Sequence, residues 1–194
     1  MKKLLVLVTM VLISFSGFSQ IKSKASVGLS FSNFSNDVNE AKAQPGFQLG
    51  TNLIFGNKFY FEPGIFYLAK STEFVTENST GSTTNFSADV KGFRVPVGVG
   101  VNLLGDGTSN FDIHASGGFS GYFITGVGDD FEKDDFENPT WGTYLSAGID
   151  IWKIFLDATY EWSLTNVQKD VSAIDLGKHR NLYINLGVKL NFGQ

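Results

Sequence analysis

From about residue 26 onward, apolar and polar side chains alternate with period two, and no stretch carries a convincing 3.6-residue pattern. The last segment is the clearest. Leu182, Ile184, Leu186, Val188, Leu190 and Phe192 are apolar; Asn181, Tyr183, Asn185, Gly187, Lys189 and Asn191 between them are nearly all polar or small. Successive strand side chains point to opposite faces, so this segment is predicted to be a strand with one oily and one polar face. Seven earlier runs repeat the theme, at 27–31, 47–55, 59–67, 93–101, 111–119, 141–149 and 154–164. Most of the runs match the roughly 9–11 residues that a tilted strand needs to cross a bilayer, against about 5–6 for the usual soluble strand.

The connections alternate as well. Tight turns are expected at 56–58, 104–110 and 152–153, and longer polar links at 33–46, 71–88, 126–140 and 166–180. Eight strands then place both termini and the three short turns at one end and the four long links at the other. Outer-membrane barrels have that asymmetry, with short periplasmic turns and longer extracellular loops. The expected fold class is all-β: an eight-stranded antiparallel up-and-down transmembrane β-barrel.

Parity alone does not say which face looks outward. The polar face is rich in Gly, Ser and Asn and carries both charge signs, in Glu62, Arg94, Asp112, Asp150, Asp157, Glu161 and Lys189. Small residues and mutually neutralising charges suit a narrow closed interior. The apolar face ends in aromatics such as Tyr67, Trp141, Tyr160 and Trp162, as interfacial girdles do. A closed barrel also satisfies every peptide group without water. The apolar face is therefore expected to face lipid.

The N-terminus reads as an address. Lys2 and Lys3 precede an apolar run from Leu4 to Ile13 broken only by Thr9, and Gly17 and Ser19 sit at −3 and −1 of a cut before Gln20. Residues 1–19 are expected to be a secretory signal peptide and 20–194 the barrel domain; the apolar run falls short of the roughly 20 residues of a helical span.

Three stretches resemble the outer-membrane β-barrel domain family of Bacteroidota, the "porin family" that includes PorT-like proteins. They are Phe61-Glu62-Pro63-Gly64-Ile65-Phe66-Tyr67, Phe93-Arg94-Val95-Pro96-Val97, and Phe155-Leu156-Asp157-Ala158-Thr159-Tyr160 running on to Leu164-Thr165-Asn166-Val167. The resemblance implies an eight-stranded barrel in the outer membrane of a Gram-negative, Bacteroidota-like cell, and no particular reaction. Asn185-x-Gly187-x-x-Leu190-x-Phe192 resembles the β-signal read by the barrel assembly machinery, which implies that machinery as a partner.

Composition narrows the chemistry. The 194 residues include no Cys and only two His, which excludes a disulfide framework, a thiolate metal site and a Cys nucleophile. A net charge of −4 without a basic block argues against nucleic acid as a partner.

Arg94, Glu62, Asp157, Glu161 and Lys189 would line any conducting path. Eight strands, however, leave an interior just wide enough for side chains to fill. Paired charges are therefore expected: Glu62 with Arg94, and Asp157 or Glu161 with Lys189. The acidic loop 129–137 has six carboxylates but lacks the spacing and the Gly of an EF-hand loop, so it reads as a solvated surface. Ser172, Asp175 and His179 fall close together in the last link, where a Ser-His-acid set is conceivable but proximity in sequence says little about triad geometry. His114 is expected to be a hydrogen-bonded interior residue. No catalytic, cofactor or metal residues and no cofactor are assigned. The expectation is a small, monomeric, non-enzymatic barrel in outer-membrane lipid, with a polar plugged interior and a structural or surface-binding role through its long loops, toward an extracellular ligand of unknown identity. The alternatives are a barrel enzyme acting on lipid or outer-membrane substrates, and a narrow pore.

Overall fold

The computed structural model describes residues 21–34, 41–43, 45–77, 83–127, 138–165 and 179–192. Residues 1–19, expected to be a signal peptide, the acidic segment 129–137, Ser172 and Asp175 lie outside them. Among the described residues the chain forms nine strands and no helix: β1 (Ile21–Phe34), β2 (Ala41–Ala43), β3 (Pro45–Gly56), β4 (Phe59–Glu77), β5 (Thr83–Leu104), β6 (Phe111–Val127), β7 (Thr140–Ile151), β8 (Ile154–Ser163) and β9 (His179–Phe192). Each long strand pairs antiparallel with its neighbour in sequence, β1 pairs with both β3 and β9, and β4 pairs with β5, so eight staves close into a barrel. Short β2 adds only to the far end of β4.

Period two fixes which side each residue faces, because a one-residue slip would turn every apolar side chain inward. On β9, Asn181, Tyr183, Asn185 and Lys189 are buried in the lumen, whereas Leu182, Leu186, Val188, Leu190 and Phe192 are exposed on the outer wall. The same division runs round the barrel, with Val27, Leu49, Ile65, Val99, Phe119, Leu145 and Leu156 among the outward apolar residues. On the outer wall Phe47 stacks near Tyr67 (6.2 Å between ring centres) and Tyr67 near Phe93 (5.8 Å). Phe123 lies near Trp141 (6.3 Å) and Tyr160 near Trp162 (4.7 Å), so that an upper aromatic belt runs from β3 to β8. A lower set gathers at the turn end, where Phe55 faces Phe61 across β3 and β4 and Phe59, Phe111, Trp152 and Phe192 are exposed. Phe47 and Phe55, like Tyr67 and Phe59, are eight residues apart on one strand. At about 3.3 Å per residue and a tilt near 40° this puts the rings ~20 Å apart along the barrel axis, close to the ~25 Å apolar band of outer-membrane barrels.

The turn end holds Ile21, paired with both Phe55 and Phe192, and the turns after β3, β5 and β7. These turns use left-handed backbone at Gly56, Gly105, Gly107 and Trp152. Two sequence expectations need correction. The predicted link 71–88 is largely strand: β4 and β5 pair out to Glu77 and Thr83, because the Ser- and Thr-rich residues there keep extended backbone that the apolar pattern does not mark. The first strand begins at Ile21, before the pattern that starts at residue 26. Pro63 and Pro96 have no N–H to give, and the β4–β5 ladder skips Gly64 and Ile65 opposite Val95 and Pro96.

Candidate functional site

The lumen is where this sequence concentrates chemistry. Five basic side chains (Lys22, Lys24, Lys70, Arg94, Lys189) share it with five carboxylates (Glu62, Asp112, Asp150, Asp157, Glu161), all buried or half-buried. Apart from Glu62, they fall into two groups at different heights.

At the turn end, register places like charges side by side on the wall. Asp112 of β6 is directly opposite Asp150 of β7, and Lys24 of β1 is directly opposite Lys189 of β9. Like charges so paired repel. The closed barrel offsets this by setting the two pairs against each other across the lumen. Lys189 Nζ lies 2.8 Å from Asp150 Oδ2 and 3.2 Å from Asp112 Oδ2. Lys24 Nζ lies 2.9 Å from Asp150 Oδ1, 3.1 Å from His114 Nε2 and 3.9 Å from Asp157 Oδ1. His114 Nε2 is 2.9 Å from Asp157 Oδ1. Gly148 stands between these two on β7, in register with both, and a Cβ there would collide with the Asp157 carboxylate and the His114 ring. The β5–β6 turn seals this end: Gly107 is buried, donates its N–H to Asp112 Oδ1 (3.0 Å) and accepts from Lys189 Nζ (3.3 Å).

Nearer the long links, Arg94 Nε donates to Glu161 Oε2 at 2.7 Å. Glu161 also accepts from the Ser120 hydroxyl (2.7 Å) and the Tyr183 hydroxyl (3.3 Å). The guanidinium lies over the rings of Tyr183 (4.6 Å), Tyr144 (5.4 Å) and Phe66 (6.0 Å), a planar cation between π faces. Lys70 donates to Asn181 at 2.9 Å. Between the groups, Glu62 accepts from the Asn52 amide and borders a cavity of about 20 Å³ shared with Lys24, Arg94, Tyr144 and Asp157.

The predicted pairings are therefore wrong in detail. Arg94 pairs with Glu161 rather than Glu62, and Lys189 with Asp112 and Asp150 rather than Asp157 or Glu161. The expected pairs would join adjacent strands, β4 with β5 and β8 with β9, whereas each of these bridges skips at least one strand. The interior is also less polar than expected. Ile54, Phe66, Leu68, Ile124 and Phe155 point inward and are buried, filling space that eight strands leave beside the charges. Sequence reasoning missed Lys22, Lys24 and Lys70 as network members; Lys22 and Lys24 share the parity of Ser26 and Ser30 and were findable on that signal. His114 is an interior hydrogen-bonded residue as expected. Asn185 and Gly187 of the β-signal-like segment face the lumen, while Leu190 and Phe192 face out. His179 opens β9 in the backbone, but its side chain lies outside the described residues, so no Ser172-Asp175-His179 geometry is defined.

No protein-family model matches the chain, and no curated protein matches it in sequence. Solved structures do match in fold. The outer membrane protein OprG from Pseudomonas aeruginosa is similar with a TM-score of 0.53 at 10% identity, over 91% of this chain and 97% of that one. Neisserial surface protein A is similar with a TM-score of 0.52 at 14% identity, over 89% of this chain and 97% of that one. The fold is thus the closed eight-stranded barrel seen in small outer-membrane proteins.

Proposed function

We propose that the protein is a monomeric integral outer-membrane barrel of a Gram-negative, Bacteroidota-like cell, with a plugged interior and a structural or surface-binding role carried by the four links opposite the turn end. One observation carries this reading: the outer wall is apolar and carries a belt of aromatics, while ten charged side chains are buried or half-buried in the lumen. An aqueous barrel of this kind would expose an apolar area far beyond the few hundred Å² usual for soluble monomers. The fold shared with OprG and Neisserial surface protein A supports the location. The three strand motifs around Glu62, Arg94 and Asp157 support the Bacteroidota porin family. Asn185, Gly187, Leu190 and Phe192 are the residues offered to the assembly machinery.

A pore is disfavoured by bridges that span the lumen between staves three apart at two heights, Lys189–Asp112 and Arg94–Glu161. No catalytic residue is assigned. Function is placed in the links because loops held by a rigid scaffold are where binding residues concentrate. The test is envelope fractionation of Gram-negative cells expressing the full chain, with planar-bilayer recording of the purified barrel. Recovery with the outer membrane and no conductance steps is expected; recovery in the soluble periplasmic fraction would refute the location, and reproducible steps would refute the plug.

A further inference from the structure

We propose that His114, Asp150 and Asp157 form a binding site for a divalent transition-metal ion inside the barrel, in which the Lys24 ammonium is a tethered cation that the metal displaces. The inference rests on a contradiction within the cluster. One nitrogen, His114 Nε2, is 3.1 Å from the Lys24 ammonium and 2.9 Å from Asp157 Oδ1. The first contact requires a lone pair on that nitrogen, and the second requires a proton. If Nε2 is protonated, its N–H meets Asp157 but confronts a second N–H donor from Lys24. If Nε2 is bare, it accepts from Lys24, but its lone pair faces a carboxylate and the proton moves to Nδ1. Nδ1 is buried and has no hydrogen-bond partner; its nearest carboxylate oxygen, on Asp150, is 3.5 Å away. A doubly protonated ring leaves Nε2–H against an ammonium. Every protonation state leaves one contact unmet, in a site where unmet polar contacts are costly.

A metal ion removes the contradiction, because it takes lone pairs from all its neighbours at once. One ligand atom from each of His114, Asp150 and Asp157 lies within 4.8 Å of the others. An imidazole nitrogen with two carboxylate oxygens suits Zn²⁺ and its first-row neighbours, and three protein ligands with one open position is a common zinc arrangement. The displaced ammonium has somewhere to go. Lys24 and Glu62 border the same cavity, and among the described residues Glu62 makes no ion pair, its carboxylate accepting from Asn52. This end of the lumen holds three ammonium groups and three aspartates, with Glu62 beyond them as a fourth carboxylate, so an added cation has a charge to meet.

The probe is Zn²⁺ titrated by calorimetry into the full barrel folded in detergent micelles, beside Lys24→Met and the double variant Lys24→Met/His114→Gln. Each variant is first checked for the heat-modifiable gel shift of a folded barrel. One Zn²⁺ per chain is expected for the wild type. Lys24→Met, with no ammonium to displace, is expected to bind about tenfold tighter or more, and the added His114→Gln to abolish that gain. Absence of wild-type binding at millimolar Zn²⁺, or binding indifferent to both substitutions, would overturn the proposal. Should the double variant fail to fold, Asp157→Asn in the Lys24→Met background replaces it, and unchanged affinity there would overturn it equally.

Discussion

The two faces of β9 are one backbone in two different surroundings. Outward, Leu182, Leu186, Val188 and Leu190 touch other wall residues side by side; Leu186 lies between Val27 of β1 and Leu156 of β8. Inward, Lys189 reaches past β8 to Asp150 of β7 and Asp112 of β6, and Asn181 receives hydrogen bonds from Ser32 and Lys70. The outer face asks only for apolar character, because lipid tails discriminate weakly among aliphatic side chains. The inner face asks for particular atoms at particular distances, because each buried charge needs its partner. A face of the first kind tolerates exchange within its class, and a face of the second kind does not.

The sharpest way to break that contrast is at the upper ion pair. Glu161→Leu leaves Arg94 buried without a carboxylate and is expected to cost about 3–5 kcal/mol, read by urea unfolding in lipid vesicles. Replacing both partners, as Arg94→Met with Glu161→Leu, is expected to recover much of that loss; a double variant as unstable as the single one would mean that Arg94 is held mainly by its aromatic neighbours. Outside, Leu186→Arg is expected to cost about 2–4 kcal/mol as a charge in hydrocarbon, while Leu186→Ile should stay within about 1.5 kcal/mol.

At the seal of the turn end, Gly107 has φ of 81° and is approached by Asn102 Nδ2 and Lys22 Nζ at 2.8–2.9 Å from where a Cβ would sit. Gly107→Val is therefore expected to cost about 1–3 kcal/mol in the same assay, with the far rim of the barrel undisturbed in amide exchange. The smallest effect belongs to the exposed side of that same β5–β6 turn, which neither face rules. The Thr108 hydroxyl and backbone N–H, with the Ser109 hydroxyl, hold the Asp106 carboxyl at about 2, below its ordinary 3.8. A lowered native value means stabilisation that is present above about pH 4 and lost as pH falls through 2. The wild type should lose slightly more thermal stability than Asp106→Asn between pH 5 and pH 2; identical losses would mean that these hydrogen bonds do not hold the turn.

Much of the wall was legible because period two is a local property. Each of 181–192, 93–101 and 154–164 declares its faces without reference to any other segment. The bridges were not legible, since Lys24 meets Asp150 across 126 positions and Lys189 meets Asp112 across 77. Pairing across a lumen depends on closure and strand stagger, which residue types do not encode singly. The extension of β4 and β5 to Glu77 and Thr83 escaped for another reason: beyond the aromatic belt no apolar surface is required, so the alternation that marked the strands fades while the ladder continues.

The central claim is that lipid covers the outer wall. All three tryptophans, Trp141, Trp152 and Trp162, stand exposed on the outside of the barrel. Folding residues 20–194 into vesicles with bromine-labelled acyl chains and recording tryptophan fluorescence tests the claim directly. Strong quenching by the brominated tails, lost when unlabelled lipid is used, is the predicted result. Fluorescence indifferent to the bromine, from a chain that stays compact and dissolved without lipid or detergent, would contradict it.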